Sequence, residues 1–384
     1  MSEAMNDMQT LYEQRRLRIE KTIALEPVDR IPTAYMGMAF APRYMGMSIA
    51  DFCEVPENRT EVTLAAMDKL GADVWDGINA LPCGRIVPSL TSAWLSHIAA
   101  PGRELPEDSL WQVQESEVMK PEDYDVILDK GWPEFVEGYY PRVIDIDELK
   151  ESRVWVRKNL QSVKDQCREH GYVPISFGGT AIPFEYLCGG RSMSRFYIDL
   201  YRNKDKVKEV MDHMMPYMIK EGIHTAEVSG IPAVWVGGWR TASSLLAPKI
   251  WDELVFPYFL ELTWALADKG IVSVLHLDQD WTRDLERFKE LPAKMCLMNA
   301  DGMTDLRKAK EILGDHMAVM GDVPSSLFYS GTPDDIFTYV RELIRDIGPT
   351  GLILCPGCDA PINAKPENME AMVAASREYG SCVS

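Results

Sequence analysis

Short apolar runs rich in β-branched residues recur along the chain, and stretches with helical spacing of apolar positions separate them. This alternation predicts βα units with a parallel sheet. Eight such units favour an α/β fold of the closed (β/α)8 TIM barrel type, and the lack of a glycine-rich turn after the first run argues against a dinucleotide fold. An open α/β sheet is the alternative. The predicted strands span residues 31–36, 73–77, 172–177, 233–237, 271–277, 294–299, 317–321 and 352–355.

The helices between these runs carry start and stop signals. After the seventh run, Thr332 is a predicted N-cap, Pro333 occupies the first helical position and Gly348 ends the helix. A longer helix over residues 248–269 should bend at Pro257, because proline lacks the amide hydrogen that a helix interior needs.

The whole chain, residues 1–384, is predicted to form one domain that opens with a helical segment. Roughly 95 residues separate the second and third predicted strands, far more than one connecting helix needs. We therefore expect an insertion at residues 80–130. Prolines, tryptophan and short alternating runs between residues 82 and 119 are typical of a hairpin or a lid.

Charge and composition argue against several classes of partner. Lys and Arg total 40 against 59 Asp and Glu, which gives a formal net charge of −19. The electric field of a protein with this negative charge repels nucleic acid and anionic lipid, so we expect neither as a partner. Residues 1–18 contain no signal-like apolar run, no stretch is long enough to span a membrane, and the cysteines lack the spacing of a disulfide framework. We expect a cytoplasmic protein with reduced thiols.

Chemistry in such barrels takes place at the carboxyl ends of the strands. His276 and Asp278 lie two residues apart at the end of the fifth run, so both side chains should face the pocket. Cys358 follows the eighth run, and the loops after strands five and eight could hold one ion between them. Zinc accepts imidazole, carboxylate and thiolate together and leaves a position for substrate. The alternative is that His276 forms a local hydrogen bond and that Cys358 is a small buried residue.

Other residues near the strand ends are candidates for a substrate pocket. Trp235 and Trp239 could line it for a flat aromatic ligand, although core packing also explains them. Arg240 would attract an anionic or phenolic group unless a nearby carboxylate pairs with it. Two further residues are candidates for the same pocket, namely Tyr35 and Phe184.

Three carboxylates also follow predicted strands. Asp76, Asp301 and Asp322 are candidate acids or bases, but carboxylates in these positions also cap the following helices. We include Asp76 in the predicted substrate site. Asn299 ends the sixth predicted strand without an assigned role.

Six segments carry a resemblance to a known family, namely residues 20–32, 177–184, 274–278, 308–314, 321–323 and 354–361. The chain resembles the uroporphyrinogen decarboxylase superfamily, and within it the corrinoid-dependent methyltransferases that act as the first methyltransferase of O-demethylases. The resemblance covers most of the chain and implies a (β/α)8 barrel. The decarboxylase branch is disfavoured, because its arginine-rich loop grips porphyrin carboxylates, and residues 36–44 here offer only Arg43.

The resemblance also implies a zinc site. Methyltransferases of this superfamily bind zinc through a His-x-Cys pair after strand five and a cysteine after the last strand. His276 and Cys358 match the first and third ligands, whereas Asp278 replaces the middle cysteine. A carboxylate leaves zinc harder and more Lewis acidic, which suits an ether oxygen better than a thiol. This implies a zinc-dependent demethylase of methoxylated substrates, especially phenyl methyl ethers.

The implied reaction passes the methyl group to the Co(I) corrinoid (cobalamin) of a partner protein. No segment resembles the Asp-x-His-x-x-Gly motif of corrinoid-binding domains, so we expect the corrinoid on another polypeptide. Three alternatives stay open: a methylcorrinoid-to-thiol or methylcorrinoid-to-folate methyltransferase, a metal-free decarboxylase that uses Asp76, and a non-catalytic binding protein. The oligomeric state is open, and a homodimer is compatible with the sequence.

Overall fold

The computed structural model describes residues 3–71 and 84–382. Within these residues the strands are β1 (His97–Ala99), β2 (Gln112–Gln114), β3 (Gly179–Ala181), β4 (Ala233–Gly238), β5 (Val272–Leu277), β6 (Cys296–Ala300), β7 (Ala318–Val323) and β8 (Leu352–Pro356). The helices are α1 (Glu3–Ile23), α2 (Phe40–Met45), α3 (Ile49–Glu54), α4 (Pro56–Leu70), α5 (Ile86–Trp94), α6 (Asp123–Lys130), α7 (Trp132–Tyr139), α8 (Ile146–Glu169), α9 (Pro183–Arg191), α10 (Met193–Arg202), α11 (Lys204–Ser229), α12 (Pro248–Leu254), α13 (Phe256–Ala267), α14 (Leu306–Leu313), α15 (Ser325–Ser330), α16 (Pro333–Ile347) and α17 (Pro366–Tyr379). Segments of 3-10 helix lie at Tyr140–Arg142, Ser243–Leu245 and Thr282–Glu290.

Strands β3 to β8 form one parallel sheet in which every strand lies beside the next strand of the chain. Residues 31–36 continue this sheet beyond β8, since Thr33 forms a parallel bridge with Leu354 and the Ala34 amide donates to the Leu354 carbonyl oxygen at 2.7 Å. Parallel strands that follow one another in this way, with helices between them, are the winding of a (β/α)8 barrel. The predicted α/β barrel is confirmed, and its second predicted strand, residues 73–77, lies outside the described residues.

The segments outside the parallel sheet are largely helical. Helix α1 is the predicted N-terminal helical segment, and it precedes residues 31–36. The described part of the predicted insertion at residues 80–130 holds α5, the antiparallel pair β1–β2 and α6. The role of this insertion as a lid, and the assignment of residues 1–384 to one domain, stay predictions.

The third barrel strand differs from its predicted position. The pattern predicts a strand at residues 172–177, but β3 begins at Gly179. Pro174 has no amide hydrogen to donate to a neighbouring strand, and Gly178 has a φ of 144° that interrupts extended backbone. The apolar side chains of residues 172–177 are buried. Their apolar pattern therefore reports burial and not strand pairing.

The helix signals are confirmed in more detail than the strand bounds. Thr332 caps α16 in a capping box with Asp335, and Pro333 is the first helical residue. The predicted helix over residues 248–269 is two helices, α12 and α13, which are separated at Val255. Pro257 explains this break, because its ring excludes the continuous α-helical path and it has no amide hydrogen.

The sheet forms the centre of the core. Strands β6, β7 and β8 are buried along their whole length, as expected for parallel strands covered by helices. In the described part of the chain, no helix combines the length and the apolar character that crossing a membrane requires.

Candidate functional site

Strand β5 presents His276 near the carboxyl edge of the sheet. In the register of the sheet, His276 lies between Gly237 of β4 and Asn299 of β6. Asp278 follows the last residue of β5, and Cys358 lies in the loop between β8 and α17. Because parallel strands of a barrel end at the same edge, these segments meet there although they are distant in the sequence.

His276, Asp278 and Cys358 form one cluster. A ring nitrogen of His276, a carboxylate oxygen of Asp278 and the sulfur of Cys358 all lie within 4.8 Å of one another. Nε2 of His276 is 3.4 Å from Oδ1 of Asp278. His276 is buried, whereas Asp278 and Cys358 are half-buried. The cluster is therefore reachable from solvent on the side of the carboxylate and the sulfur.

Asn299 orients the ring of His276. The Asn299 amide nitrogen donates to the Met320 carbonyl oxygen at 3.3 Å, so its Oδ1 is left to accept a hydrogen bond from Nδ1 of His276 at 2.6 Å. With the hydrogen on Nδ1, the lone pair of Nε2 faces Asp278 and Cys358. Histidines that bind metals are held in this way by an acceptor on the other ring nitrogen.

The donor atoms of the cluster fit a zinc ion. Oδ1 of Asp278 is buried, and within the described residues it has the 3.4 Å contact with Nε2 of His276 but no hydrogen bond of good geometry. A buried carboxylate oxygen without a donor is costly unless a ligand compensates it. Nitrogen, oxygen and sulfur together suit a borderline cation, and three protein ligands leave a fourth position for substrate.

The electrostatics of the cluster favour positive charge. Burial lowers the pKa of His276, but its interactions with Asp278 and Cys358 outweigh burial and hold that pKa well above its usual value. Burial raises the pKa of the Cys358 thiol, and the neighbouring His276 opposes this rise. A cation beside Nε2 would meet the same carboxylate and sulfur that stabilise a proton there.

The two other described carboxylates at strand ends have local partners. Asp301 accepts from the amides of Gln279 at 2.7 Å and Met303 at 2.8 Å, which joins two loops. Asp322 accepts from the hydroxyl of Tyr339 at 2.7 Å. Burial raises the pKa of both carboxyls. These contacts support a structural role for Asp301 and Asp322. Asp76 lies outside the described residues.

One predicted pocket residue, Trp235, lies against the cluster, and Trp239 and Arg240 follow beyond it. The Trp235 ring stacks on His276 with ring centroids 5.1 Å apart, and Trp239 stacks on Trp235 at 5.2 Å. Arg240 follows Trp239 and is only 4% exposed. Its guanidinium carbon lies 4.6 Å from the ring centroid of Trp94.

The remaining described pocket candidates, Tyr35 and Phe184, are also buried. Tyr35 is buried, and its hydroxyl donates to the Gly37 carbonyl oxygen at 2.6 Å. Burial raises the pKa of Tyr35 well above its usual value. Phe184 is fully buried and meets Phe196 edge-on, with ring centroids 4.9 Å apart. Contact of Tyr35 or Phe184 with substrate stays a prediction.

Sequence reasoning assigned no role to three residues of this site, namely Asn299, Trp94 and Glu185. Asn299 ends a predicted strand, and this position alone could have marked it as a site residue. Its hydrogen bond to His276 depends on the register between β5 and β6, which the sequence does not show. Glu185 is fully buried and accepts from the Arg240 amide at 2.9 Å and the Thr241 hydroxyl at 2.7 Å. Burial, opposed by the charge of Arg240, raises the pKa of Glu185 to about 7.

The fold and the cluster together define a (β/α)8-barrel protein with a candidate metal centre at the carboxyl ends of its strands. The family model described as "Uroporphyrinogen decarboxylase (URO-D)" matches residues 130–379. The chain belongs to the uroporphyrinogen decarboxylase family, which is a family of enzymes, and the predicted resemblance to this superfamily is confirmed.

Individual relatives cover nearly the whole chain. A uroporphyrinogen decarboxylase from Geobacter metallireducens is 26% identical over 363 residues, which span 91% of this chain and 94% of the relative. The enzyme of that name from Geobacter sulfurreducens is 25% identical over 365 residues, again 91% and 94% of the two chains. A methyltransferase from Methanosarcina mazei has 17% identity and a TM-score of 0.71, over 95% of this chain and 98% of the other. The last comparison supports the barrel fold.

Proposed function

We propose that this protein is a zinc-dependent methyltransferase that demethylates a methoxylated aromatic substrate and passes the methyl group to the Co(I) corrinoid of a separate protein. One observation carries the proposal: nitrogen, oxygen and sulfur donors from His276, Asp278 and Cys358 lie within 4.8 Å of one another at the end of the barrel strands. The half-buried Asp278 and Cys358 leave the cluster accessible to a substrate and a large partner.

In the bound state, zinc would withdraw electron density from the ether oxygen and make the phenolate a better leaving group. The residues of this chain prepare the site for that task. Asn299 holds His276 with Nε2 directed at the cluster, and Trp235 covers one face of the imidazole. Asp278 supplies a carboxylate, a harder donor than the cysteine of thiol-alkylating relatives, and this choice supports an ether as the methyl donor.

The names of the relatives favour a second candidate, a uroporphyrinogen decarboxylase. Against it stands the position of Arg43, the lone arginine of residues 36–44, which follow the first barrel strand where the decarboxylase branch has its arginine-rich loop. Arg43 is exposed on α2 and pairs with Asp108 at 2.9 Å. An arginine engaged in an ion pair at the protein surface does not supply the cluster of guanidinium groups that a porphyrin with many carboxylates requires.

Two further parts of the proposal concern the surroundings of the site. The insertion at residues 80–130 would act as a lid beside the mouth of the barrel. A cytoplasmic location, as the sequence suggests, would keep Cys358 reduced and available as a ligand.

The decisive experiment combines metal analysis with an activity screen. Purified protein should contain zinc in a one-to-one ratio, and methoxylated aromatics with a reduced corrinoid protein should give methylcorrinoid, seen by its absorbance. Cys358→Ser should lose both, whereas Cys382→Ser, at a half-buried cysteine outside the cluster, should lose neither. Metal-free protein that decarboxylates a porphyrinogen would refute the proposal. Demethylation of methylcobalamin by a thiol or folate, without turnover of any ether, would instead favour the alternative of a methylcorrinoid-to-thiol or methylcorrinoid-to-folate methyltransferase, the second half of the pathway.

A further inference from the structure

A continuous series of aromatic rings, here called the ring stack, joins the predicted insertion to the candidate metal centre. Trp94, on helix α5 of the insertion, lies against Trp239 with ring centroids 4.7 Å apart. Trp239 stacks on Trp235 at 5.2 Å, and Trp235 stacks on His276 at 5.1 Å. Because packed side chains leave little free volume, a displacement of one ring is passed to the next.

Trp235 supplies a restraint on His276 that the hydrogen bond of His276 does not. The side-chain oxygen of Asn299 accepts from Nδ1 at 2.6 Å and fixes the position of that nitrogen. A single hydrogen bond still allows the imidazole to turn about the line that joins donor and acceptor. The indole of Trp235 lies on one face of the imidazole and opposes this turn. Since a metal needs the lone pair of Nε2 in one direction, the plane of the ring matters as much as its anchor.

Ring packing alone orients the two inner indoles. Nε1 of Trp235 and Nε1 of Trp239 are buried without a hydrogen-bond partner in the part of the chain that the structure describes. Their orientation therefore depends on the surfaces that they touch. The backbone of β4 closes tightly on Trp239, since a Cβ at Gly237 would lie 1.7 Å from its Cζ3. Trp94 then provides the ring contact through which the insertion reaches this pair.

The end of α5 holds Trp94 in a defined position. The helix ends at Trp94, and the next residue, Leu95, is fully buried with a φ of 51°. A leucine rarely adopts this left-handed conformation, so its surroundings must hold it. The hydroxyl of Tyr139 donates to the Leu95 carbonyl oxygen at 2.6 Å. A Cβ at Gly189 would lie 2.2 Å from the Trp94 carbonyl oxygen, so α9 approaches α5 this closely only because residue 189 is glycine.

We propose that Trp94 is a positioning residue for the metal centre. Through the ring stack it fixes the plane of the His276 imidazole, so that metal binding and the docking of α5 stabilise each other. The two effects are equal in size, because coupling between two sites is reciprocal. A single ring contact supplies a modest stabilisation, and the expected coupling is about 3- to 10-fold. The metal in this proposal rests on the proposed function, but the coupling requires no methyl transfer.

The first test titrates Co(II) into the metal-free protein, because the visible absorption of Co(II) reports both binding and ligand geometry. Trp94→Leu should bind Co(II) about 3- to 10-fold more weakly and, at saturating metal, should have altered absorption bands. Trp94→Phe, which returns a ring to the face of Trp239, should restore the bands and an affinity within about 2-fold of the wild type. A residue that only stabilised the fold would not alter the spectrum of the folded, metal-loaded protein.

Two further measurements separate the ring stack from general effects. Trp155→Leu, at a half-buried tryptophan of α8 outside the ring stack, is the matched control and should change neither affinity nor spectrum. Hydrogen exchange on the wild-type protein needs no variant. Zinc should slow the exchange of the α5 amides by about 3- to 10-fold and leave α6, another helix of the insertion, unchanged.

The outcomes distinguish this proposal from the proposed function. Unaltered Co(II) affinity and absorption in folded Trp94→Leu would overturn the coupling, and so would exchange in α5 that is the same with and without metal. A wild-type protein that binds no divalent metal would refute the proposed function and the coupling together. Metal binding with the expected coupling, but without methyl transfer to a reduced corrinoid, would refute the proposed function alone.

Discussion

Two arginines of this protein are almost equally buried, yet their surroundings are opposite. Arg191, at the end of α9, is 3% exposed and donates to Asp199 at 2.7 Å, to Glu117 at 2.8 Å and to the Met119 carbonyl oxygen at 2.7 Å. Arg240, at the mouth of the barrel, is 4% exposed and has a guanidinium nitrogen without any partner among the described residues.

This difference distinguishes an arginine that holds the fold together from one that has hydrogen-bonding capacity left for a ligand. Around Arg191 each charge meets its counterpart, and Tyr124 adds a hydrogen bond to Asp199 at 2.8 Å. Such a closed network joins α6, α9 and α10 and leaves nothing for a ligand to complete. Around the mouth, the carboxylate of Asp278, two indoles and Arg240 keep unsatisfied atoms. A folded protein tolerates these costs where a bound group compensates them.

The largest expected effect is at the mouth. His276→Ala should abolish zinc binding and lower methyl transfer by at least about 1,000-fold, equivalent to ~4 kcal/mol of transition-state stabilisation. Metal content and methylcorrinoid formation are measured on the same preparation. His213→Ala on α11, which lies outside the cluster, is the control and should retain both. Full zinc content and full activity in His276→Ala would remove the proposed mechanism.

The second prediction tests the closed network. Arg191→Met should lower the free energy of unfolding by about 3 kcal/mol, because it leaves the buried carboxylate of Asp199 without its charged partner. Arg240→Met should change the free energy of unfolding by less than about 1 kcal/mol, because no ion pair is lost. Urea titrations of both variants give the two values. Equal losses of unfolding free energy in the two variants would show that the ion pairs of Arg191 do not stabilise the fold more than the surroundings of Arg240 do.

The third prediction concerns Glu185, whose pKa lies at about 7 in the folded state against 4.5 for an ordinary glutamate. Between these values the folded protein keeps a proton that the unfolded chain releases, so stability falls as pH rises through this window and is level above it. The loss is on the order of 3 kcal/mol. Glu185→Gln should remove this part of the pH dependence, measured by denaturation at several pH values. The control variant Glu261→Gln, at an exposed position, should retain this pH dependence. If Glu185→Gln kept the wild-type slope of stability against pH, Glu185 would not be the titrating group.

The smallest expected effect sharpens the role of Asn299. Asn299→Leu should weaken zinc binding by about 10- to 100-fold, as is typical when the partner of a ligating histidine is lost. Competition with a chelator of known affinity measures this change. Asn159→Leu on α8, whose side-chain amide donates to the Trp155 carbonyl oxygen within the same helix, provides the matched control. Unaltered affinity in Asn299→Leu would show that the ring of His276 needs no support from β6.

The sequence predicted the fold and the centre of the site better than their surroundings. Apolar runs placed β4 to β8 within about two residues, and the meeting of His276 with Cys358 followed from the common edge of parallel strands. The sequence misplaced β3, because a buried segment and a paired strand show the same apolar pattern. Pro174 prevents strand pairing at residues 172–177 but leaves their side chains buried. Trp94 and Glu185 escaped notice, because their contacts depend on how α5 and α9 pack. The unsatisfied donors were equally invisible, since pairing is a property of three-dimensional neighbours.

The cluster connects the middle of the chain to its end. His276 belongs to β5 and Asp278 directly follows that strand, whereas Cys358 lies between β8 and α17. An ion shared by these residues would therefore act as a clasp that ties the last βα unit to the centre of the barrel, and its binding energy would be added to the stability of that unit. Chelation should then increase amide hydrogen exchange first in β8 and α17, well before the rest of the sheet opens.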